Sequence, residues 1–324
     1  MKITVLGCGR WGSFLAWYLS RLNHKVISWG PEDGNAYRIL NETGKNEYVT
    51  LDKKIHLTCN LEEAVNCSDI IIISISAQGL RDFMKKVTRY DVSDKIFVLC
   101  MKGIEDGTGK RLTEILTESG ILSDKIAVWV GPGHIQSFVA GIQSCMVIDS
   151  ENEGLKRMLV ENFKSDLIRF YYGSDLLGTE IGAAAKNVMG IAAGVLDVVA
   201  PPLKGPLMTR GAREIARLIK ALGGNELSAY GLAHLGDYET TLFSVYSHNR
   251  MYGEMLAKGQ RFERLAEGVA TSAALKILGN KCGVELPITE AVHSVCYGSG
   301  DDRERCKKEI DKLFSRSTKS EWYE

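Results

Sequence analysis

The sequence predicts an α/β N-terminal domain, built on a mostly parallel, doubly wound sheet, followed by an all-helical C-terminal domain. Three observations carry this. A glycine turn, Gly7-Cys8-Gly9-Arg10-Trp11-Gly12, sits between the apolar run Ile3–Leu6 and a helical pattern over about 10–22. Apolar, β-branched runs then alternate with helical segments as far as Tyr172, the pattern of a parallel sheet covered on both faces. Beyond Tyr172 strand signals stop, and every later segment reads as helix. The division falls at residues 1–176 and 177–324.

The first element is the strand Ile3–Leu6, and the glycines follow at once. In G-x-G-x-x-G the first glycine permits a tight turn and the second a close approach by a pyrophosphate. The third lets helix and strand pack, while the helix N-terminus meets negative charge. The Rossmann-type reading, with residues 1–176 as the dinucleotide-binding domain, rests on this context. The second strand, Lys25–Trp29, ends in Gly30-Pro31-Glu32-Asp33. Neither a carboxylate for a free ribose hydroxyl nor an arginine for a 2′-phosphate stands directly at that end, so the cofactor is NAD or NADP. Further strands are expected over 69–76, 95–100, 126–130, 145–148 and 167–172, with helices over 80–87 and 155–163 between them. Two strand ends look chemical: one runs into Lys102, the other into Gly131-Pro132-Gly133-His134. Ligands gather at the carboxyl ends of strands in such sheets.

In the second half, residues 178–199, 206–222, 244–258, 269–281 and 287–297 read as helices. The stretch 178–199 has apolar residues at Ile181, Ala184, Val188, Ile191 and Val195, and Lys186 is its single charge between Ile181 and Leu196. Positions three and four away share a helix face, so Lys186 sits among Gly182, Ala183, Met189 and Gly190. That bald face admits a ligand or another backbone, and an ammonium there needs an anionic or polar partner. The alternative is a lysine that snorkels from the edge of a helix packed through small residues. Residues 231–249 concentrate hydrogen-bonding groups: Asp237, Thr240, Thr241, Ser247, His248 and Asn249. They suit a polyhydroxylated or phosphorylated small molecule, or else a polar loop in which Asp237 caps a helix. The segment 301–324 reads as a solvated helix and a loose tail.

Composition narrows the function classes. Forty basic and forty acidic residues cancel, which gives no reason to expect a nucleic-acid partner. No apolar run reaches transmembrane length and the N-terminus lacks a signal-peptide layout, so no membrane insertion is expected. Eight cysteines without close metal-type spacing point to reduced thiols, a cytoplasmic location and no metal site.

Taken together, several separated motifs resemble those of the NAD(P)-dependent glycerol-3-phosphate dehydrogenases over almost the whole chain. They are GCGRWG at 7–12, MKGIE at 101–105, GP at 131–132, GTEIGAAAKNV at 178–188, TRG at 209–211, GLAHLGD at 231–237, HNRMYG at 248–253 and LAEG at 265–268. The resemblance implies interconversion of sn-glycerol 3-phosphate and dihydroxyacetone phosphate by hydride transfer with NAD or NADP, with residues 177–324 as the substrate-binding domain. It implies that Lys186 handles the hydroxyl proton and that Lys102 touches substrate and cofactor, with Asp237 alongside them as catalytic. It places substrate at Gly131, Asn187, Thr241, Ser247, His248, Asn249 and Arg250. It places cofactor at Gly7, Gly9, Arg10, Trp11, Gly12, Lys102, Ile135, Leu265 and Glu267. A homodimer is left open.

Departures from the family pattern mark the substrate as the least fixed part of this expectation. Ser247-His248-Asn249 stands where the family has Ser-Arg-Asn, and a lone histidine cannot copy the forked phosphate contact of an arginine. Two basic groups are at hand for that contact, His248 itself when protonated and Arg250 two residues on; the alternative for Arg250 is that it only pairs with a surface carboxylate. Gly133 and Ile135 replace a serine and an alanine, Arg10 a small residue, and Pro201-Pro202 interrupts a usually polar region. Two rival readings remain: a related two-domain dehydrogenase for another phosphorylated or carboxylated alcohol, and a dinucleotide-binding regulatory protein without turnover.

Overall fold

The computed structural model describes residues 1–322. By compactness the chain forms two units: Met1–Met101 with Leu112–Leu176, and Lys102–Arg111 with Leu177–Glu324. The short stretch Lys102–Arg111 thus belongs with the later residues.

The first unit is an eight-stranded sheet of β1 (Lys2–Leu6), β2 (Lys25–Trp29), β3 (His56–Thr58), β4 (Ile70–Ile73), β5 (Ile96–Leu99), β6 (Ile126–Val130), β7 (Ser144–Asp149) and β8 (Ile168–Tyr172). Their order is β3-β2-β1-β4-β5-β6-β7-β8. All neighbours are parallel except β6 and β7, which run antiparallel with Val130 opposite Val147. The helices are α1 (Arg10–Arg21), α2 (Asn35–Thr43), α3 (Leu61–Asn66), α4 (Leu80–Val87), α5 (Leu112–Glu118), α6 (Ile135–Val139) and α7 (Glu153–Phe163).

Successive side chains of a strand point to opposite faces, and the core follows that rule. Ile3, Val5, Ile70 and Ile72 pack with Phe14, Leu15 and Leu19 of α1 and with Leu159 and Phe163 of α7. Leu6, Ile71 and Ile73 pack on the other side with residues of α3, α4 and α5. Burial on both faces explains why the four residues of β4 are all isoleucine.

The second unit is helical: α8 (Leu176–Val199), α9 (Lys204–Ala221), α10 (His248–Ala257), α11 (Glu267–Cys282), α12 (Pro287–Tyr297) and α13 (Asp302–Phe314). The stripe Ile181, Ala184, Val188 and Ile191 of α8 is wholly buried, against Ile215 and Leu218 of α9, Leu275 of α11 and Ile104 of the Lys102–Arg111 stretch. By length and composition α8 could cross a membrane, a correction to the expectation that no run is long enough. Most of it is buried inside the fold, as in the core helix of a globular protein. The helix expected from 244 begins at His248. Ser247 caps it there by accepting from the Arg250 amide, and Glu239–Phe243 forms a separate π-helical turn.

Candidate active site

The glycines of α8 set the site by letting other segments come within van der Waals reach. A Cβ on Gly190 would stand 2.8 Å from Cγ2 of Thr241 and 3.1 Å from Cβ of Asn249, and one on Gly194 would overlap the carbonyl of Arg250. The bald face beside Lys186 is therefore filled by the segment 234–250. Two features of that segment reach the lysine. Its ammonium donates to Oγ1 of Thr241 at 2.9 Å and lies 3.3 Å from Oδ2 of Asp237.

Asp237 is the node. It is 1% exposed, and the same Oδ2 accepts from the ammonium of Lys102 at 2.6 Å. Oδ1 accepts from the hydroxyl of Thr240. Burial pushes the Asp237 carboxyl up, but the charges of Lys102 and Lys186 and these hydrogen bonds outweigh it and hold the pKa below the ordinary carboxylate value. The carboxylate is ionised at neutral pH, and two ammonium groups from distant points in the sequence converge on it.

A layer of polar contacts holds these groups in place. Asn187 donates to the backbone carbonyl of Lys102 at 3.0 Å and accepts from Nδ2 of Asn249 at 3.0 Å. Oδ1 of Asn249 accepts from the Gly268 amide at the start of α11. Behind Asp237, the fully buried His234 lies 2.8 Å by Nδ1 from the carbonyl of Gly182 and 2.7 Å by Nε2 from the hydroxyl of Tyr238. A carbonyl can only accept, so Nδ1 carries the proton and Tyr238 donates to Nε2. Burial lowers the His234 pKa to about 4, and the ring is neutral. Arg111 pairs with the buried Glu180 of α8 at 2.8 Å, tying the Lys102–Arg111 stretch to the helix. His234, Tyr238 and the Arg111–Glu180 pair are supports that the sequence reading did not name, whereas Thr240, one of the polar groups singled out in 231–249, turns out to hold Asp237. The buried charge of Glu180, one turn and a half before Lys186, was the available signal.

In the first unit the glycine turn is shaped for close approach. Gly7 adopts φ +108°, and a Cβ there would collide with the Ser74 carbonyl, while one on Gly12 would collide with the carbonyl of Gly7. A Cβ on Gly9 would meet nothing within 4 Å. The N-terminus of α1 has no side-chain cap and no acidic residue in its first turn, which leaves its amides to a phosphate. The turn fits a dinucleotide. Trp11 packs its ring 5.0 Å from Phe14, and the Arg10 guanidinium lies 5.3 Å from the ring of Tyr48. Gly131, at φ +134°, ends β6 where a Cβ would press on the Cα of Met146. The side chain of Ile135 is buried in the sheet core, so a cofactor contact there falls to its backbone.

The remaining sequence candidates divide. Thr241, Asn187 and Asn249 join the lysine cluster. Ser247 and His248 open α10, with His248 6.2 Å from the ring of Phe262. Leu265 is exposed, and Glu267 begins α11. Arg250 turns elsewhere. Its guanidinium pairs with Asp197 at 2.5 Å and Glu254 at 3.1 Å and donates to the Ser244 carbonyl. That geometry gives no support to Arg250 as the group that meets a substrate phosphate. Among the described residues no His/Cys/Asp/Glu cluster could hold a metal ion.

The chain is similar to known proteins over almost its whole length. The family model for the N-terminus of NAD-dependent glycerol-3-phosphate dehydrogenase matches residues 2–156, and that for its C-terminus matches 175–306. The chain belongs to this family. A glycerol-3-phosphate dehydrogenase [NAD(P)+] from Pelodictyon phaeoclathratiforme is 33% identical, with 99% of each chain covered. The crystal structure of glycerol-3-phosphate dehydrogenase from Coxiella burnetii superimposes with a TM-score of 0.89 at 25% identity, covering 97% of this chain and 99% of that one. The glycerol-3-phosphate dehydrogenase of Saccharomyces cerevisiae shares the fold at 20% identity and a TM-score of 0.77, with 96% and 99% covered. Family membership makes the chain an NAD(P)-dependent oxidoreductase and its substrate a phosphorylated small molecule.

Proposed function

We propose that the cluster of Lys186, Asp237 and Lys102 is where this enzyme interconverts sn-glycerol 3-phosphate and dihydroxyacetone phosphate. The observation that carries the reading is the convergence of both ammonium groups on one buried carboxylate, at 2.6 Å and 3.3 Å. In the reducing direction, C2 of the ketone takes up hydride and its oxygen takes up a proton. Lys186 donates that proton from Nζ, and Lys102 stabilises the developing alkoxide beside it. Asp237 supplies the countercharge that makes two neighbouring ammonium groups tolerable in a half-buried place. The bound nicotinamide supplies the hydride. The glycine turn of Gly7, Gly9 and Gly12, with the open N-terminus of α1, holds the pyrophosphate.

The substrate phosphate is assigned to the first turn of α10, where Ser247, His248 and Asn249 stand at a helix N-terminus free of acidic residues. All eight cysteines are free, which favours a reducing compartment such as the cytoplasm. The deciding experiment is oxidation of NADH or NADPH by the purified enzyme with dihydroxyacetone phosphate as the sole ketone. Failure with both cofactors, while an unphosphorylated or carboxylated ketone is reduced, would overturn the substrate assignment.

A further inference from the structure

We infer, on the reading of the lysine cluster proposed above, that Asp197 is a positioning residue for its reaction: through Lys204 and Arg250 it holds the main chain beside Thr241 and so sets the Thr241 hydroxyl against Lys186. Asp197 stands near the C-terminal end of α8, about three turns beyond Lys186. One carboxylate oxygen, Oδ1, meets the ammonium of Lys204, the first residue of α9. The other, Oδ2, accepts from the Arg250 guanidinium of α10 at 2.5 Å. Each cation keeps a second N–H for a backbone carbonyl. Lys204 donates to that of Leu242 at 3.2 Å, and Arg250 donates through Nε to that of Ser244 at 2.9 Å. The two carbonyls flank Phe243, whose ring lies 5.1 Å from the Lys204 ammonium. One half-buried carboxylate thus organises two cations, and they grip the chain on both sides of one residue.

The gripped segment is where the turn bearing Thr241 ends. That turn, Glu239–Phe243, is π-helical, a rare conformation. At Ser244 the backbone leaves it for an extended conformation, so the last carbonyls find no partner further along a helix. The Leu242 carbonyl is met by Lys204, and that of Ser244 by Arg250 together with the Ser247 amide. Phe243, Val245 and Tyr246 are exposed, so the chain beyond Leu242 gains little from apolar burial. The next helix is held differently. A Cβ on Gly194 would overlap the Arg250 carbonyl, and one on Gly253 would overlap the Ile191 carbonyl, so α10 lies backbone to backbone on α8. Releasing the clamp therefore loosens 242–246 and leaves α10 in place. Thr241 is the residue that feels it, because its hydroxyl accepts from Lys186 at 2.9 Å. A shift of about 1 Å in such a group costs up to about 100-fold in turnover.

The test is a double-mutant cycle on the full-length enzyme, run with whichever ketone the wild type reduces, so that a wrong substrate assignment leaves it standing. Asp197→Asn keeps the shape and removes the charge. It should lower kcat about tenfold and change KM for the ketone and Kd for the dinucleotide by less than about twofold. Thr241→Val should lower kcat by about tenfold or more. In the double variant kcat should fall no further than in Thr241→Val alone, because Asp197 acts through that hydroxyl. Hydrogen exchange read by mass spectrometry is the second readout. In Asp197→Asn, exchange over residues 239–247 should quicken about tenfold while that over 248–257 stays as in the wild type. Lys204→Met gives up the Leu242 carbonyl while Arg250 stays on Asp197. It should move both readouts the same way, and it serves if Asp197→Asn does not fold. The proposal is overturned by kcat within about twofold of wild type in either clamp variant, or by unchanged exchange over 239–247. Falls in kcat that multiply in the double variant would overturn it equally.

Discussion

Asn187 donates through Nδ2 to the backbone carbonyl of Lys102 at 3.0 Å, so the chain neighbour of Lys186 fixes the main chain of the other lysine that meets Asp237. Asn187→Ala should remove this hold on the Lys102 carbonyl and loosen the 102–111 stretch. A lost hydrogen bond of this kind costs about 1 kcal/mol in stability. Misplacement of Lys102 should lower kcat about 10- to 100-fold. Steady-state kinetics beside a melting curve separates the two effects, and a large fall in Tm with kcat intact would contradict the positioning role.

Lys186→Ala should fold and bind dinucleotide normally, because the helix around it is buried through its own apolar stripe. Turnover should fall by about a thousandfold or more. Near-normal activity in the purified variant would remove Lys186 from the chemistry.

Gly12→Val should abolish dinucleotide binding. Even a single Cβ there overlaps the Gly7 carbonyl, so a branched side chain must push α1 away from β1. Calorimetry on the folded variant is the check, and unchanged affinity would mean that the turn does not hold the pyrophosphate.

At the substrate phosphate, His248→Arg should lower KM for dihydroxyacetone phosphate several-fold by restoring a forked contact. Arg250→Ala should change KM less than about twofold and lower Tm, since it strips Asp197 and Glu254 of a cation. A large rise in KM for Arg250→Ala would return that residue to the phosphate.

His234 gives a pH signature. Its folded pKa of about 4 lies below the ordinary 6.5, so between these values the unfolded chain binds the extra proton. Stability from this group is complete above pH 6.5 and is lost as pH falls toward 4, by about 1.4 kcal/mol per pH unit. Urea unfolding at pH 7 and pH 5 should show a loss of about 2 kcal/mol from this source. His234→Gln should lack that part of the loss. Identical pH slopes for the two proteins would show that His234 is not buried neutral.

The strands were legible wherever burial on both faces forces a continuous β-branched run, as in β4, and wherever glycines mark a turn, as after β1. The three-residue β3 was not, because His56–Thr58 is too short to display a period. The reversal at β7 was invisible for another reason: alternation of strands and helices is blind to direction. The connection from β6 to β7 holds only the five-residue α6, and it returns the chain beside β6 without a crossover. Within the site, Lys186 stood out because its helix is otherwise uncharged. The engagement of Arg250 by Asp197 could not be read, since the two are 53 residues apart.

The excursion Lys102–Arg111 bears on how such a protein can be taken apart. The chain passes from one unit to the other at 101–102, at 111–112 and at 176–177. A fragment beginning at Leu177 would lack Ile104, which is fully buried in its core, and the guanidinium that neutralises Glu180. It would also keep only one of the two cations that Asp237 requires. A single crossover between genes therefore cannot transplant this helical half in working order. The helical unit is inherited in two pieces, and one of them is carried inside the sequence of its neighbour.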